Sequence, residues 1–274
     1  MERTANCNSQ LKRGKMKKIL LKEKNKAILT LTLNDPKKLN ALSEEMLNEI
    51  EVTLKKIKKD KTIKVVIIQS STDAFCAGHD LKEMQIAREQ ADGKDYYKKL
   101  FKKCSKIMKK INSLPQPVIA IVEGVAAAAG CQLVATCDLA VGTENATFGV
   151  NGINIGLFCS TPMVALTRNI GKKKTFEMLI TGEFIDAFEA KEHGLLNSVY
   201  KKENIKKEVL NIAEKICGKS SKVVKVGKKA FYKQSELNLK EAYNYTSKVM
   251  TKNILYEDTK EGMQAFIEKR EPNF

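Results

Sequence analysis

The sequence predicts an α/β fold: a parallel sheet covered by helices, followed by a helical C-terminal part. Three features carry that expectation. Short, nearly continuous apolar runs, "IKVVIIQ" (63–69) and "VIAIV" (118–122), have the composition of strands buried on both faces. Segments of helical periodicity separate them, and strands that alternate with helices pair in parallel. From about residue 161 onward the pattern is helical, each segment ending near a glycine or a polar break.

In chain order, "AILTLTL" (27–33) alternates with period two and reads as a strand. Asp35-Pro36 breaks it. Ser43 then has the chemistry of an N-cap, and Glu44 and Glu45 fall in the first turn, where the helix dipole favours negative charge. Met46, Leu47, Ile50, Leu54 and Ile57 follow at helical spacing. After the strand at 63–69, "DAFCAGHDLKEM" is a tight connection into another helix, and a long Lys-rich helical region ends at "SLPQP". Beyond 118–122, Glu123-Gly124 turns the chain. "VAAAAGCQLVATC" (125–137) then reads as a helix and "DLAVG" (138–142) as a strand. There is no internal repeat and no flexible interdomain linker. The expected division is a disordered or processed tail over 1–16, an α/β core over 17–200 and a helical region over 201–274.

The chain has 274 residues, 43% of them hydrophobic, enough for one large core. Its net charge of +17 is carried mostly by lysine, often in pairs such as Lys228-Lys229, and the plain reading is a solvated surface. No aromatic-interleaved basic stripe, RNA-binding signature or zinc-finger spacing is present, so nucleic acid is not the expected partner. A phosphate-bearing small molecule fits a Lys-rich surface better. Seven cysteines (7, 76, 104, 131, 137, 159 and 217), without C-x-x-C spacing, read as free buried thiols in a reducing compartment, cytoplasm or mitochondrial matrix. His79 and His193 are the two histidines, so no His-based metal site is expected. No apolar run is long enough to span a bilayer.

The chemistry is suggested by "FCAGHD" and "VEGVAAAAGCQ". Both place small residues at a strand-to-helix junction, where the backbone can approach a ligand closely. The first N–H groups of a helix have no internal acceptor. Two such groups converging on one point would form an oxyanion hole, suited to a carbonyl oxygen that gains charge, as in a thioester enolate. On spacing alone, Gly- and Ala-rich turns of this kind usually reflect simple close packing.

Six segments, "NDPKKLNALSEEM", "FCAGHDLKEM", "PVIAIVEGVAAAAGCQLVATCDLAV", "TFGVNGINIGL", "EMLITGEFIDAFEAKEHGLLNSVY" and "EGMQAFIEKREPNF", together resemble the crotonase, or enoyl-CoA hydratase/isomerase, superfamily. The resemblance runs from about residue 17 to the C-terminus. It implies a spiral of ββα units with a helical C-terminal trimerisation region, assembled as a homotrimer or a dimer of trimers. It also implies an acyl-CoA thioester as substrate in fatty acid metabolism, with coenzyme A as part of the substrate and no permanently bound cofactor.

Position by position, the resemblance makes the His79 and Ala129 amides the oxyanion donors. Ala77, Asp80, Leu81 and Lys82 would line the pantetheine and thioester. Lys38, Leu39 and Ala41 would form the nucleotide-proximal loop. Phe266 and Lys269 would reach the coenzyme A of a neighbouring subunit. Two positions depart from the hydratase pattern: Gln132 and Gly152 stand where the two catalytic glutamates are expected. An amide cannot take a proton from water near neutral pH, and glycine has no side chain to offer. Classical hydration is therefore not expected. An oxyanion hole alone still suits decarboxylation of a malonyl-type thioester, or a non-catalytic acyl-CoA binder. Asn151, Asn154, Cys159, Ser160, Thr161 and the His79 ring are the candidate polar groups near the acyl end. Asp138 and His193 read as structural.

Overall fold

The computed structural model describes residues 18–274; the expected tail and Cys7 lie outside the described residues. The main sheet has six strands in the order β1 (Leu20–Asn25), β2 (Ile28–Leu33), β3 (Val65–Ser70), β5 (Val118–Val122), β7 (Leu139–Thr143) and β10 (Ser198–Tyr200). Its first pair is antiparallel and the rest are parallel. The two faces sort by residue parity. Val66 and Ile68 point into the large core with Leu29, Leu31 and Leu33, whereas Val65 and Ile67 join Ile119, Ile121 and Val141 on the other side. Burial on both faces is why these strands read as unbroken apolar runs.

A second sheet, β4 (Ala74–Cys76), β6 (Val125–Ala127), β8 (Thr147–Gly149) and β9 (Phe184–Asp186), lies in that order. Each of β4, β6 and β8 follows directly on β3, β5 and β7, so every turn of the chain adds one strand to each sheet before moving on. That is the spiral of ββα units. The short strands correct the sequence reading in two places. Residues 125–127, expected to be helical, are β6, and α4 (Ala129–Thr136) starts after them. Strands β9 and β10 also interrupt the stretch beyond 161 that periodicity makes wholly helical. Three residues are too few to display a period, and backbone pairing rather than side-chain pattern holds them extended.

Helices cover the sheets. In α1 (Glu44–Ile57), Ser43 Oγ accepts the Met46 N–H, and the expected stripe of Met46, Leu47, Ile50, Leu54 and Ile57 is buried. Along α1, Glu51 Oε1 meets Lys110 at 2.7 Å, Lys106 at 3.1 Å and Lys55 at 3.4 Å, tying α1 to α3 (Gly93–Ser113). Hydrogen bonds from Lys110 and Lys106 hold its carboxyl down at about 2. A depressed carboxylate adds stability that is complete above its ordinary pKa of about 4.5 and is lost as pH falls towards 2. Glu51→Gln is expected to cost about 1 kcal/mol at pH 7, allowing for solvent screening. It should also flatten the loss of stability between those pH values, as read by thermal unfolding across a pH series.

The C-terminal region is helical: α8 (Lys202–Cys217), α9 (Ser221–Gln234), α10 (Leu239–Asn253) and α11 (Glu257–Ile267). Helix α8 closes the second face of the main sheet with Ile205, Val209 and Ala213. By contrast, α10 buries no residue, although Leu239, Tyr243 and Met250 on it are apolar and each more than two-thirds exposed. The cysteines from Cys76 onward are free, and all but the half-buried Cys217 are buried. Burial pushes the Cys76, Cys104 and Cys131 thiols up to about 12, which keeps them as inert thiols at neutral pH.

Candidate active site

The two junctions singled out in the sequence meet. Strand β4 runs into Ala77-Gly78-His79, and β6 runs into Ala128-Ala129. A β-carbon on Gly78 would lie 3.1 Å from Ala128 Cβ and 3.5 Å from Ala129 N. Both turns border a cleft of about 400 Å³ lined by Ala77, His79, Leu81, Ala128, Ala129, Asn151 and Gly152 and walled by Met84, Phe101, Leu157 and Phe158. Neither His79 N nor Ala129 N makes a main-chain hydrogen bond among the described residues. Ala129 is the first residue of α4, so its N–H has no acceptor within the helix.

The turn before α4 is strained. Ala128 has φ 48° and ψ −114°, a left-handed conformation that costs a residue with a β-carbon about 1–3 kcal/mol. Its N–H is held by Gly149 O at 2.8 Å. The positive φ thus falls on Ala128, not on Ala129, whose amide is the expected donor. Close packing fixes α4 against β4. A β-carbon on Gly130 would come within 2.2 Å of Cys76 O and 2.8 Å of Cys76 Cβ.

The His79 ring stacks edge-on against Phe101 at 5.7 Å, and its Nδ1 lies 3.4 Å from Leu42 O. A carbonyl can only accept, so Nδ1 carries the hydrogen. Nε2 is then a bare acceptor, buried and without a partner among the described residues. Burial lowers the His79 pKa, so the ring is neutral at pH 7.

Other expected site residues are placed differently. Asp80 is not on the cleft. It caps α2 (Leu81–Arg88) by accepting the Lys82 and Glu83 N–H groups, and it binds Lys38 at 2.7 Å. Burial would push its carboxyl up, but Lys38 and the helix N–H groups outweigh that and hold it below its ordinary value. Lys38 also meets Glu83 at 3.1 Å, and these partners raise its pKa. The loop carrying Lys38, Leu39 and Ala41 is sewn to the oxyanion turn by Ala77 N to Leu39 O at 3.1 Å and Leu42 N to Gly78 O at 2.7 Å. Leu39 is exposed and Ala41 buried. Lys82 is exposed at the start of α2. Phe266 and Lys269, at and just beyond the end of α11, are exposed and do not line the cleft of their own chain.

Gln132 is buried one turn into α4, away from the cleft lining. Its Oε1 is 4.0 Å from Cys104 Sγ on α3. Gly152 does line the cleft, but the space a side chain needs is taken. A β-carbon there would meet Leu157 O at 2.3 Å and Cys159 Sγ at 2.9 Å. Asn151, Cys159, Ser160 and Thr161 line the cleft; Asn154 instead packs against Gly182. Among the described residues lining the cleft there is no carboxylate.

Sequence reasoning missed Asn40, which anchors the 38–42 loop. Fully buried with φ 55°, it donates through Nδ2 to Ser70 Oγ, Thr72 Oγ1 and Ala74 O, and its Oδ1 accepts the Asp35 N–H. An Asn after the Asp-Pro turn, a residue type tolerant of left-handed backbone, was the available signal. Phe101, the aromatic wall, was hidden within the Lys-rich helix.

Comparison with known proteins decides the family. The Enoyl-CoA hydratase/isomerase family profile matches residues 23–274. The chain belongs to the enoyl-CoA hydratase/isomerase family. It is 46% identical over 245 residues to the human enoyl-CoA hydratase domain-containing protein 3, mitochondrial, spanning 89% of this chain and 80% of that protein. The Xenopus laevis protein of the same name is 44% identical, spanning 89% and 82%. The "AGHDL" and "AAGCQLVATCD" forms resemble this branch. Among solved structures, an enoyl-CoA hydratase from Mycobacterium smegmatis has a TM-score of 0.90 at 46% identity, covering 94% of this chain and 99% of that one. The human domain-containing protein 3 has a TM-score of 0.90 at 42% identity, covering 94% and 100%. The α/β crotonase-type architecture expected from the sequence is the architecture of these relatives.

Proposed function

We propose that this family member binds an acyl-CoA thioester with its carbonyl oxygen between His79 N and Ala129 N, and that the two amides stabilise the enolate of that thioester. The observation that carries this reading is two main-chain donors that are unpaired among the described residues, on a cleft whose described lining has no carboxylate. Two-glutamate hydration is outside this chemistry, because Gln132 and Gly152 supply no base. The same absence favours decarboxylation of a malonyl-type thioester. There the bond to the carboxylate breaks, carbon dioxide leaves, and its electron pair becomes the enolate held by the amides. The enolate carbon then takes a proton from water. No general base is required, and one oxyanion donor alone is worth about 10²–10³ in rate.

Assembly completes the proposed site. The bare apolar face of α10 and the exposed Phe266 favour a homotrimer or a dimer of trimers, with Phe266 and Lys269 reaching a neighbour's coenzyme A while Lys82 serves its own. The names of the relatives favour the mitochondrial matrix, where free thiols persist.

A mass-spectrometric panel of CoA thioesters tests the reading. Crotonyl-CoA is expected to remain essentially unhydrated, and a malonyl-type thioester to lose carbon dioxide. Stabilisation by coenzyme A without any product would instead identify a non-catalytic binder. Gln132→Glu with Gly152→Glu is expected not to restore hydration, since Leu157 O fills the space of the second side chain. Ordinary hydration rates in the unmodified protein would overturn the reading.

A further inference from the structure

We propose that this protein carries a second binding site, for a linear chain of phosphates, in a lysine-lined groove remote from the acyl cleft. The groove consists of two adjoining clefts of about 530 and 650 Å³ that share Lys58, Pro115 and Lys225. Lys109 and Lys229 complete the cationic lining of the first. Lys59, Lys61, Lys64 and Lys222 complete that of the second. It lies where the chain enters β3 and β5, whereas the acyl cleft lies where the chain leaves β4 and β6. The two share no lining residue.

What marks this face is that lysines from separate segments line one concave wall with no carboxylate paired to them among the described residues; Lys64 donates to Cys217 O at 2.9 Å. Where carboxylates do answer lysines, Glu51 takes three, and Lys38 is held by two. None of the eight groove lysines forms an ion pair among the described residues. Asp60 is the one acid of the lining among the described residues, and its carboxylate accepts Thr62 N and Oγ1. Like charges gathered along a concave wall repel one another and focus a positive potential into the groove, which an anion would relieve.

The lining also limits what that anion is. Among the described residues the cations of the lining are all lysine, point charges without the planar bidentate fork of arginine, so the groove reads charge rather than the planar geometry of one group. Tyr232 is the one aromatic of the lining among the described residues and its hydroxyl is held by Asp138 at 2.8 Å, while Lys222 sits over the neighbouring Tyr256 ring at 3.8 Å. Among the described residues, no large exposed apolar side chain lines the groove to enter a lipid layer. Charge density along an extended chain is the property left to recognise. An inorganic polyphosphate offers it most densely, and the backbone of a single-stranded nucleic acid offers it more sparsely.

The test uses the full chain in its native assembly and end-labelled inorganic polyphosphate, titrated by fluorescence anisotropy at several salt concentrations. The groove triple Lys58→Gln, Lys61→Gln, Lys225→Gln is compared with a control of equal net charge, Lys99→Gln, Lys102→Gln, Lys207→Gln. Both triples are first checked for unchanged sedimentation and thermal midpoint. The groove triple is expected to weaken binding at least tenfold and to reduce the slope of log affinity against log salt, with the control within threefold of the parent. Oligothymidylate bound as tightly as polyphosphate would assign the site to phosphate chains from either source; weaker binding would assign it to the inorganic chain. Equal loss in both triples, no binding of polyphosphate, or capture by phosphatidylserine vesicles in its place would overturn the proposal.

Discussion

Gly130→Ala is expected to lower turnover of any thioester the protein processes by at least a hundredfold while leaving a folded chain. The new methyl would meet Cys76 O at 2.2 Å, Cys76 Cβ at 2.8 Å and the Cys76 carbonyl carbon at 2.9 Å. All are main-chain or β-carbon atoms of a fully buried strand residue, so no flexible side chain can give way. Helix α4 must therefore back away from β4. Ala129 is the chain neighbour of Gly130, and His79 lies three residues beyond Cys76, so the displacement acts on the spacing of the two amides. Loss of one oxyanion donor costs about 10²–10³ in rate, which sets the magnitude. Overpacking should cost about 1–3 kcal/mol of stability, read by denaturant unfolding. Gly227→Ala is the contrast. It lies inside α9 with open space where its β-carbon would be, and it is expected to leave turnover unchanged and add up to about 1 kcal/mol. Equal turnover in Gly130→Ala and the parent would show that this contact does not set the donors.

The second large effect is expected at Lys228, which pins the C-terminal helices to the core. Its ammonium is nearly inaccessible and donates to Ile111 O at 3.1 Å, Gln116 O at 3.0 Å and the Asp138 carboxylate. Asp138 also accepts Val118 N at 2.7 Å and the Tyr232 hydroxyl. Burial lowers the Lys228 pKa, and Asp138 opposes that shift. Lys228→Met leaves a buried carboxylate without its cation and is expected to cost about 3–5 kcal/mol, measured as a shift in denaturant midpoint. Lys228→Met with Asp138→Asn removes both charges and should recover most of that loss. A single-variant loss below about 1 kcal/mol would mean that the pair is solvated in solution.

How much of this was legible in the sequence depended on the range of the interaction. Strands β3 and β5 declared themselves because burial on both faces demands apolar residues at every position. Helix α1 did so because its cap, first-turn acids and apolar stripe all lie within one short segment. The three-residue strands β4 and β6 were invisible because partner strands, not their own side chains, keep them extended. The same contrast holds at the site. The small-residue turns at 77–79 and 128–130 were visible as composition, and the family resemblance gave them a purpose. That Leu157 O and Cys159 Sγ fill the space beside Gly152 depends on the path of a loop, which no local pattern encodes. The Asp138–Lys228 contact joins residues far apart in the chain, so Asp138 could be read as structural while its cation could not be named. The groove lysines likewise come from separate segments and looked like ordinary surface charge.

The central claim is that one thioester oxygen is shared by the amides of His79 and Ala129. The most direct measurement is the crystal structure of the protein with a saturated acyl-CoA bound. The account predicts both nitrogens at about 2.7–3.1 Å from the thioester oxygen, with the acyl chain against Phe101 and Phe158. A thioester oxygen that touches one of these amides or neither, with the acyl chain outside this cleft, would contradict it.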